Sequence, residues 1–221
     1  MIIAIDGPAG SGKSTVAKEV AKRLGLLYVD TGAMYRALTL KAIEEGLDLK
    51  NESVLIDLAR RTRIEFGTDS ESELFVLLDG RIVTEEIRRS EVTNAVKYIA
   101  RIPDVRKEMV RLQREIISCG DAVLEGRDIG TVVCPNADKK FYLDARLNER
   151  VKRRFRELKQ KGYDVVLEDV KRDVEIRDYT DKNRDVGPLK IAKDAVVIDT
   201  TDLSIEEVAD LILKEADALK R

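Results

Sequence analysis

The residues best suited to chemistry lie close to the N-terminus, in the string Gly7-Pro8-Ala9-Gly10-Ser11-Gly12-Lys13-Ser14-Thr15. Its first eight residues fit Gly-x-x-x-x-Gly-Lys-[Ser/Thr] at every fixed position, a match that average composition yields by accident in roughly one chain in a hundred of this length. Glycines let successive backbone N–H groups converge on a polyphosphate, and a helix starting behind them adds partial positive charge. Lys13 is then placed to bridge the β- and γ-phosphates of ATP. Ser14 can offer Mg²⁺ a hydroxyl, with phosphate oxygens and water as its other ligands. By itself the loop specifies a triphosphate site and leaves the reaction open, since switch GTPases and motor ATPases share it. Guanine recognition through Asn-Lys-x-Asp is unsupported, because the nearest string, Lys182-Asn183-Arg184-Asp185, has another order.

Four further clusters pair arginine with acidic or hydroxyl residues at expected loop or helix-start positions. They are Asp30-Thr31-Gly32-Ala33-Met34-Tyr35-Arg36, Glu125-Gly126-Arg127-Asp128-Ile129-Gly130-Thr131, Arg177 with Asp181-Lys182-Asn183-Arg184, and Glu86-Ile87-Arg88 with Arg106. The chain has no histidine, so a base for activating an alcohol is not obvious. A monophosphate acceptor needs none: its second pKa is about 6, so its oxygen is already a dianionic nucleophile at neutral pH. The remaining work is to bring two polyanions together and neutralise the transferring group, for which arginines, Lys13 and Mg²⁺ suffice. In this setting Asp128 reads as a contact to a base edge or to a metal-bound water rather than as a general base.

These residues must be carried by a scaffold that brings them to one rim. Ile2-Ile3-Ala4-Ile5 reads as a buried parallel strand running into the glycine loop, a helix is expected from Lys13 to Gly25, and Leu26-Leu27-Tyr28-Val29 as a second strand. Strand, helix and strand within thirty residues imply a right-handed crossover and an α/β fold: a P-loop NTPase-type parallel sheet with helices on both faces. Ala122-Val123-Leu124, Lys140-Phe141-Tyr142-Leu143 and Ala195-Val196-Val197-Ile198 supply further strands. In an open sheet of this kind ligands gather at the carboxyl ends of the strands, where the clusters after Val29 and Leu124 fall. Between Arg63 and Arg88, Ile64-Glu65-Phe66, Leu74–Leu78 and Ile82-Val83 form an inserted antiparallel meander, with Asp79-Gly80 as a hairpin turn. Helices follow from Glu91 to Ser118, divided at Pro103, and Ser204 with Glu207 makes a capping box for a last helix.

Together these strings resemble the bacterial cytidylate kinases, nucleoside-monophosphate kinases of the P-loop class, along essentially the whole chain. The resemblance covers GPAGSGKST (Gly7–Thr15), DTGAMYR (Asp30–Arg36), EIR (Glu86–Arg88), Val105-Arg106, GRDIGTVV (Gly126–Val133) and the spaced residues from Arg177 to Arg184. The DTTDLSIEEV string looks like that family's last strand and turn, beside the adenine. The inserted meander separates this family from short-form uridylate–cytidylate and adenylate kinases. The resemblance implies transfer of the γ-phosphoryl of ATP to CMP and dCMP, with Gly7–Thr15 holding ATP and Ser14 facing Mg²⁺. It places Arg36 and Arg127 on the acceptor phosphate with Tyr35 nearby, and Thr31 and Arg88 beside that nucleotide. Arg106 and Asp128 would face the cytosine edge, Arg177 and Asp181 the ribose hydroxyls, and Arg184, with Lys13 and Arg127, the transferring phosphates. Lys97 stands where the family pattern has a small hydroxyl residue, and Glu125 where it has Asp. Kinases of uridylate, thymidylate or shikimate are the nearest alternatives, and a nucleotide-dependent switch ATPase a more distant one.

The expected layout is one kinase unit: core 1–62, 93–153 and 165–221, with the monophosphate-binding meander at 63–92. Transfer must exclude water, or ATP hydrolysis competes. Basic residues from Arg150 to Lys161, ending at Gly162, are therefore expected to contribute a short lid at about 154–164. The 221 residues carry 40 basic and 42 acidic side chains, a balance that proposes neither a nucleic-acid nor a membrane partner. Aromatic residues make up 5%, and no apolar run reaches membrane-spanning length. Cys119 and Cys134, with no histidine to join them, read as packing residues of a reduced compartment. A cytoplasmic monomer is expected.

Overall fold

The computed structural model describes residues 1–68, 74–118 and 120–217. In chain order the strands are β1 (Ile2–Asp6), β2 (Leu27–Asp30), β3 (Ile64–Thr68), β4 (Leu74–Leu78), β5 (Arg81–Ile82), β6 (Ala122–Gly126), β7 (Lys139–Asp144) and β8 (Val196–Asp199). The helices are α1 (Lys13–Leu24), α2 (Thr31–Glu44), α3 (Glu52–Arg61), α4 (Ser90–Ala100), α5 (Pro103–Ser118), α6 (Leu147–Gln160), α7 (Leu167–Asn183) and α8 (Ile205–Asp217). A 3₁₀ turn, Glu86–Arg88, precedes α4, and a π-helical turn, Ile129–Val133, follows β6. The chain forms two compact units, Met1–Tyr28 with Asp121–Arg221, and Val29–Gly120.

In the first unit the sheet runs β2-β6-β1-β7-β8. β1 lies between two parallel neighbours, with Asp6 opposite Gly126 on one side and Tyr142 on the other, while Asp144 lies opposite Asp199. Those rungs bring the carboxyl ends of four strands to one edge. Ile3, Ala4, Ile5, Val123, Leu124 and Leu143 are buried without residual exposure, which explains why these strands read as unbroken apolar runs rather than alternating ones. α1 and α8 pack together, and Val16 and Val20 on α1 and Val208 and Ile212 on α8 are all buried. α8 begins on the expected capping box, Ser204 N–H donating to Glu207 and Glu207 N–H to Ser204. A smaller apolar cluster joins α6 to α7 through Val151, Phe155, Leu158, Val170 and Val174.

The second unit holds the antiparallel sheet β3-β4-β5 and helices α2 to α5 around Met34, Leu38, Leu55, Leu58, Val83, Ile87, Ile99 and Met109. Asp79 and Gly80 sit at φ 50° and 84°, the left-handed values a two-residue hairpin turn demands of both central residues. Two helices, α2 and α3, fill the stretch between Arg36 and Arg63, where the sequence pattern assigned no element. Ala33, Met34, Tyr35, Ala37, Leu38, Leu40 and Ala42 are all buried, so α2 is apolar around most of its circumference and carries no legible 3.6-residue stripe. Cys134 is buried and unbridged, as a packing residue would be; Cys119 lies outside the described residues.

Candidate active site

The phosphate loop leaves β1 and feeds α1 through three glycines at positive φ, Gly7 (153°), Gly10 (76°) and Gly12 (88°). A methyl on Gly7 would lie 2.1 Å from the Leu143 carbonyl oxygen, and one on Gly10 2.8 Å from that of Arg150. Space and dihedral angle alike therefore require glycine. Lys13 is buried and donates through Nζ to the Pro8 carbonyl at 2.7 Å. Burial lowers its pKa to about 7, helped by the charges of Arg127 and Arg177 and opposed by Glu125 and Asp181. Ser14 and Thr15 are exposed in the first turn of α1, which contains no acidic residue. That turn suits an anion.

Beyond β6 the same unit collects most of the remaining charged residues singled out from the sequence. Arg127 Nε donates to Asp181 Oδ2 at 2.7 Å, and its Nη1 to the Gly126 carbonyl at 3.2 Å. Arg184 lies 3.4 Å from Asp128 and 3.5 Å from Asp181, with its Nε on the Gly187 carbonyl. Burial opposes ionisation of Asp181, but Arg127, Arg177 and Arg184 more than offset it and hold the carboxyl below its usual range. Glu125 is buried and accepts from the Tyr28 hydroxyl at 2.9 Å, so the longer carboxylate is fully accommodated. Lys13, Arg127, Asp128, Arg177, Asp181 and Arg184 thus form one electrostatic group. Glu125 lies beside it, acting on both Lys13 and Arg127.

In the second unit, Asp30 caps α2 by accepting from Ala33 N at 2.9 Å and pairs with Arg36 at 2.7 Å. Burial opposes its ionisation, but Arg36, the Ala33 N–H and the charge of Arg88 lower its pKa overall. Arg88 is exposed on its 3₁₀ turn, anchored by buried Ile87. Arg106 is buried, stacks 5.3 Å from the Tyr35 ring centre and donates to the Ala100 carbonyl. Thr31 is buried as the first residue of α2. Lys97 is exposed, its ammonium 5.3 Å above the Tyr98 ring.

Several residues of this architecture were not distinguished from the sequence. Arg150, expected in a solvated basic segment, is buried: it pairs with Asp178 at 2.6 Å and donates to the carbonyls of Ala9 and Ala145 at 3.0 Å each. Its signal was position, since it shares the inward face of α6 with Leu147 and Val151. Asp178 likewise continues the stripe Val170, Val174 on α7. Arg153 donates to Thr200, whose hydroxyl donates to the Ser11 carbonyl, so the turn after β8 braces the phosphate loop. Residues 154–160 continue α6 without a break, and Gly162, at φ 80°, follows its end. Among the described residues, no group of three or more Cys, Asp or Glu is placed to hold a metal ion by itself, and no helix is long and apolar enough to cross a membrane.

The sequence model of the family described as cytidylate kinase matches residues 3–218. The chain belongs to the cytidylate kinase family. It is 52% identical over 211 residues to the cytidylate kinase of Desulforamulus reducens, covering 96% of this chain and 94% of that one. The cytidylate kinase of a Geobacillus species is 51% identical over 212 residues, with the same coverage. The solved shikimate kinase of Bacteroides thetaiotaomicron is 10% identical with a TM-score of 0.50 and 98% of each chain covered, a likeness of fold alone. As a member of the cytidylate kinase family the chain is a phosphotransferase with the P-loop kinase fold, acting on nucleotides with ATP as donor.

Proposed function

We propose that this family member transfers the γ-phosphoryl group of ATP to CMP and dCMP, giving CDP or dCDP and ADP. The observation that carries the chemistry is the group around buried Lys13 and partly buried Arg127 and Arg184, with Arg177 exposed beside them, which offers many cations and no histidine. Such a group neutralises charge spread over a transferring phosphoryl and has no need of a base when the acceptor is a phosphate dianion. Gly7–Thr15 bind the triphosphate through backbone N–H groups and Lys13. Arg127 and Arg184 act on the acceptor and transferring phosphates. Asp181 orients Arg127 and, with Arg177, meets the ribose hydroxyls. Asp128 faces the cytosine edge.

In the second unit, Arg36 is assigned to the acceptor phosphate with Tyr35 at its side, and Arg88 and Thr31 to the same nucleotide. Arg106, already stacked on Tyr35, is a planar donor suited to a pyrimidine edge. Mg²⁺ fits the donor set in a limited sense. Ser14 presents an exposed hydroxyl at the start of α1, a donor that suits an ion held otherwise by phosphate oxygens and water. Bound there, it would supply charge neutralisation.

An ADP-release assay with ATP, Mg²⁺ and a panel of CMP, dCMP, UMP, dTMP, AMP and shikimate tests the reading. CMP and dCMP are expected to stimulate turnover most. Stimulation by other members of the panel with none by CMP or dCMP would reject it.

A further inference from the structure

Asp6 is the last residue of β1, directly before Gly7, and its carboxylate is buried. Its two oxygens accept from two successive backbone N–H groups, Ile129 N to Oδ1 at 2.9 Å and Gly130 N to Oδ2 at 2.8 Å. Those N–H groups open the π-helical turn that directly follows Arg127 and Asp128. They need an outside partner: the turn's own bonds run from Val133 N to the Asp128 carbonyl and from Cys134 N to the Ile129 carbonyl, leaving the leading N–H groups free, as at any helix start. The sheet cannot supply that partner, since the β1–β6 ladder ends at the rung Asp6–Gly126, one residue before Arg127. Asp6 therefore carries the connection between phosphate loop and Arg127 segment past the last rung.

An apolar residue at this place would leave two buried N–H groups without their acceptor. Burial pushes the Asp6 carboxyl up to about 6, against the lowering effect of both N–H bonds, and the charge of Asp128 adds to the rise. The carboxylate is retained where it is disfavoured, and what it does there is grip two adjacent amides with fixed spacing.

We propose that Asp6 is a positioning residue for phosphoryl transfer: its bidentate grip on the Ile129 and Gly130 N–H groups sets Arg127 and Asp128 against the phosphate loop. The inference rests on Arg127 acting at the acceptor or transferring phosphate. Asp6 acts through the backbone of the turn and not through contact with reacting atoms.

Asp6→Asn in the full chain tests this. The amide keeps the volume and one acceptor but turns an NH₂ toward the other backbone N–H. In the folded variant, kcat with CMP is expected to fall on the order of 10- to 100-fold while the calorimetric Kd for ATP stays within about twofold. An unchanged kcat, or an ATP Kd that weakens in step with the loss of kcat, overturns the proposal; the second result would make Asp6 a support of the donor loop. Should Asp6→Asn fail to fold, Gly130→Ala decides. Its methyl would meet Lys140 Cδ at 3.2 Å, and that side chain is held at Nζ by Asp194 and the Pro135 carbonyl, so the close approach should displace the Gly130 backbone. A folded Gly130→Ala with lowered kcat and an unchanged ATP Kd supports the proposal, and unchanged kcat overturns it. Arg127→Ala, measured alongside, separates the two readings. If it keeps kcat, the assignment of Arg127 fails and this inference with it; if it loses kcat while folded Asp6→Asn does not, this inference alone fails.

Discussion

Removing Asp178 strikes the phosphate loop from behind. Arg150 and Asp178 form a buried pair with a 2.6 Å contact, their side chains 8% and 12% exposed. In Asp178→Ala the guanidinium stays buried with only the Ala9 and Ala145 carbonyls as acceptors. Leaving one charge of a buried pair uncompensated costs about 3–5 kcal/mol. In a chain of this size each kcal/mol moves the melting temperature by about 2–4 °C, so the transition of the unit holding both residues should fall by roughly 6–20 °C. Asp178→Asn keeps an acceptor and loses the charge, worth about 1–2 kcal/mol or roughly 2–8 °C. The double change Arg150→Met with Asp178→Leu should recover most of the loss, because paired apolar replacements remove the desolvated charges together. Because Arg150 also holds the Ala9 carbonyl, ATP affinity should remain weakened in the double variant even as the melting temperature returns. Differential scanning calorimetry with and without ATP reads all four states. A melting temperature for Asp178→Ala within about 2 °C of the parent would refute the reasoning.

Arg127→Ala should lower kcat on the order of 10²- to 10³-fold, the usual effect of removing a preorganised charge from a transferring group, with little change in ATP Kd. Loss of ATP binding in equilibrium titration would move Arg127 to the donor side. Lys13 carries a pKa of about 7 in the free protein, and a bound triphosphate must raise it. ATP binding near pH 8 should therefore take up a proton, and affinity should weaken as pH rises above about 7, toward tenfold per unit until the pKa of the complex is reached. Calorimetry in buffers of different ionisation enthalpy measures this directly; zero uptake or proton release at that pH would count against it.

What the sequence determined by itself is what short-range physics determines. Gly7–Ser14 is legible because its chemistry is contiguous: glycines, lysine and hydroxyl must follow in order for backbone N–H groups to wrap a phosphate. The Asp79-Gly80 hairpin and the Ser204–Glu207 cap are legible for the same reason, each being a local dihedral or hydrogen-bond requirement. The buried strands announced themselves as apolar runs, and α2 did not announce itself, because burial around most of a helix erases its periodicity. The family resemblance named the arginines one by one, yet their partners came only from tertiary structure. Arg127 meets Asp181 across 54 positions, and Asp6 meets the Gly130 N–H across 124. Arg150 reads in sequence as one more cation on a basic helix. Packing turned it inward, since its place on α6 faces the phosphate loop and the Asp178 side of α7, and a charge so buried must find its counter-charge there. A pattern of residue types records which face of a helix or strand a side chain occupies, but not what stands opposite that face. Here it is those long-range pairings that set the charge on Lys13, the grip on Arg127 and the shape of the phosphate loop.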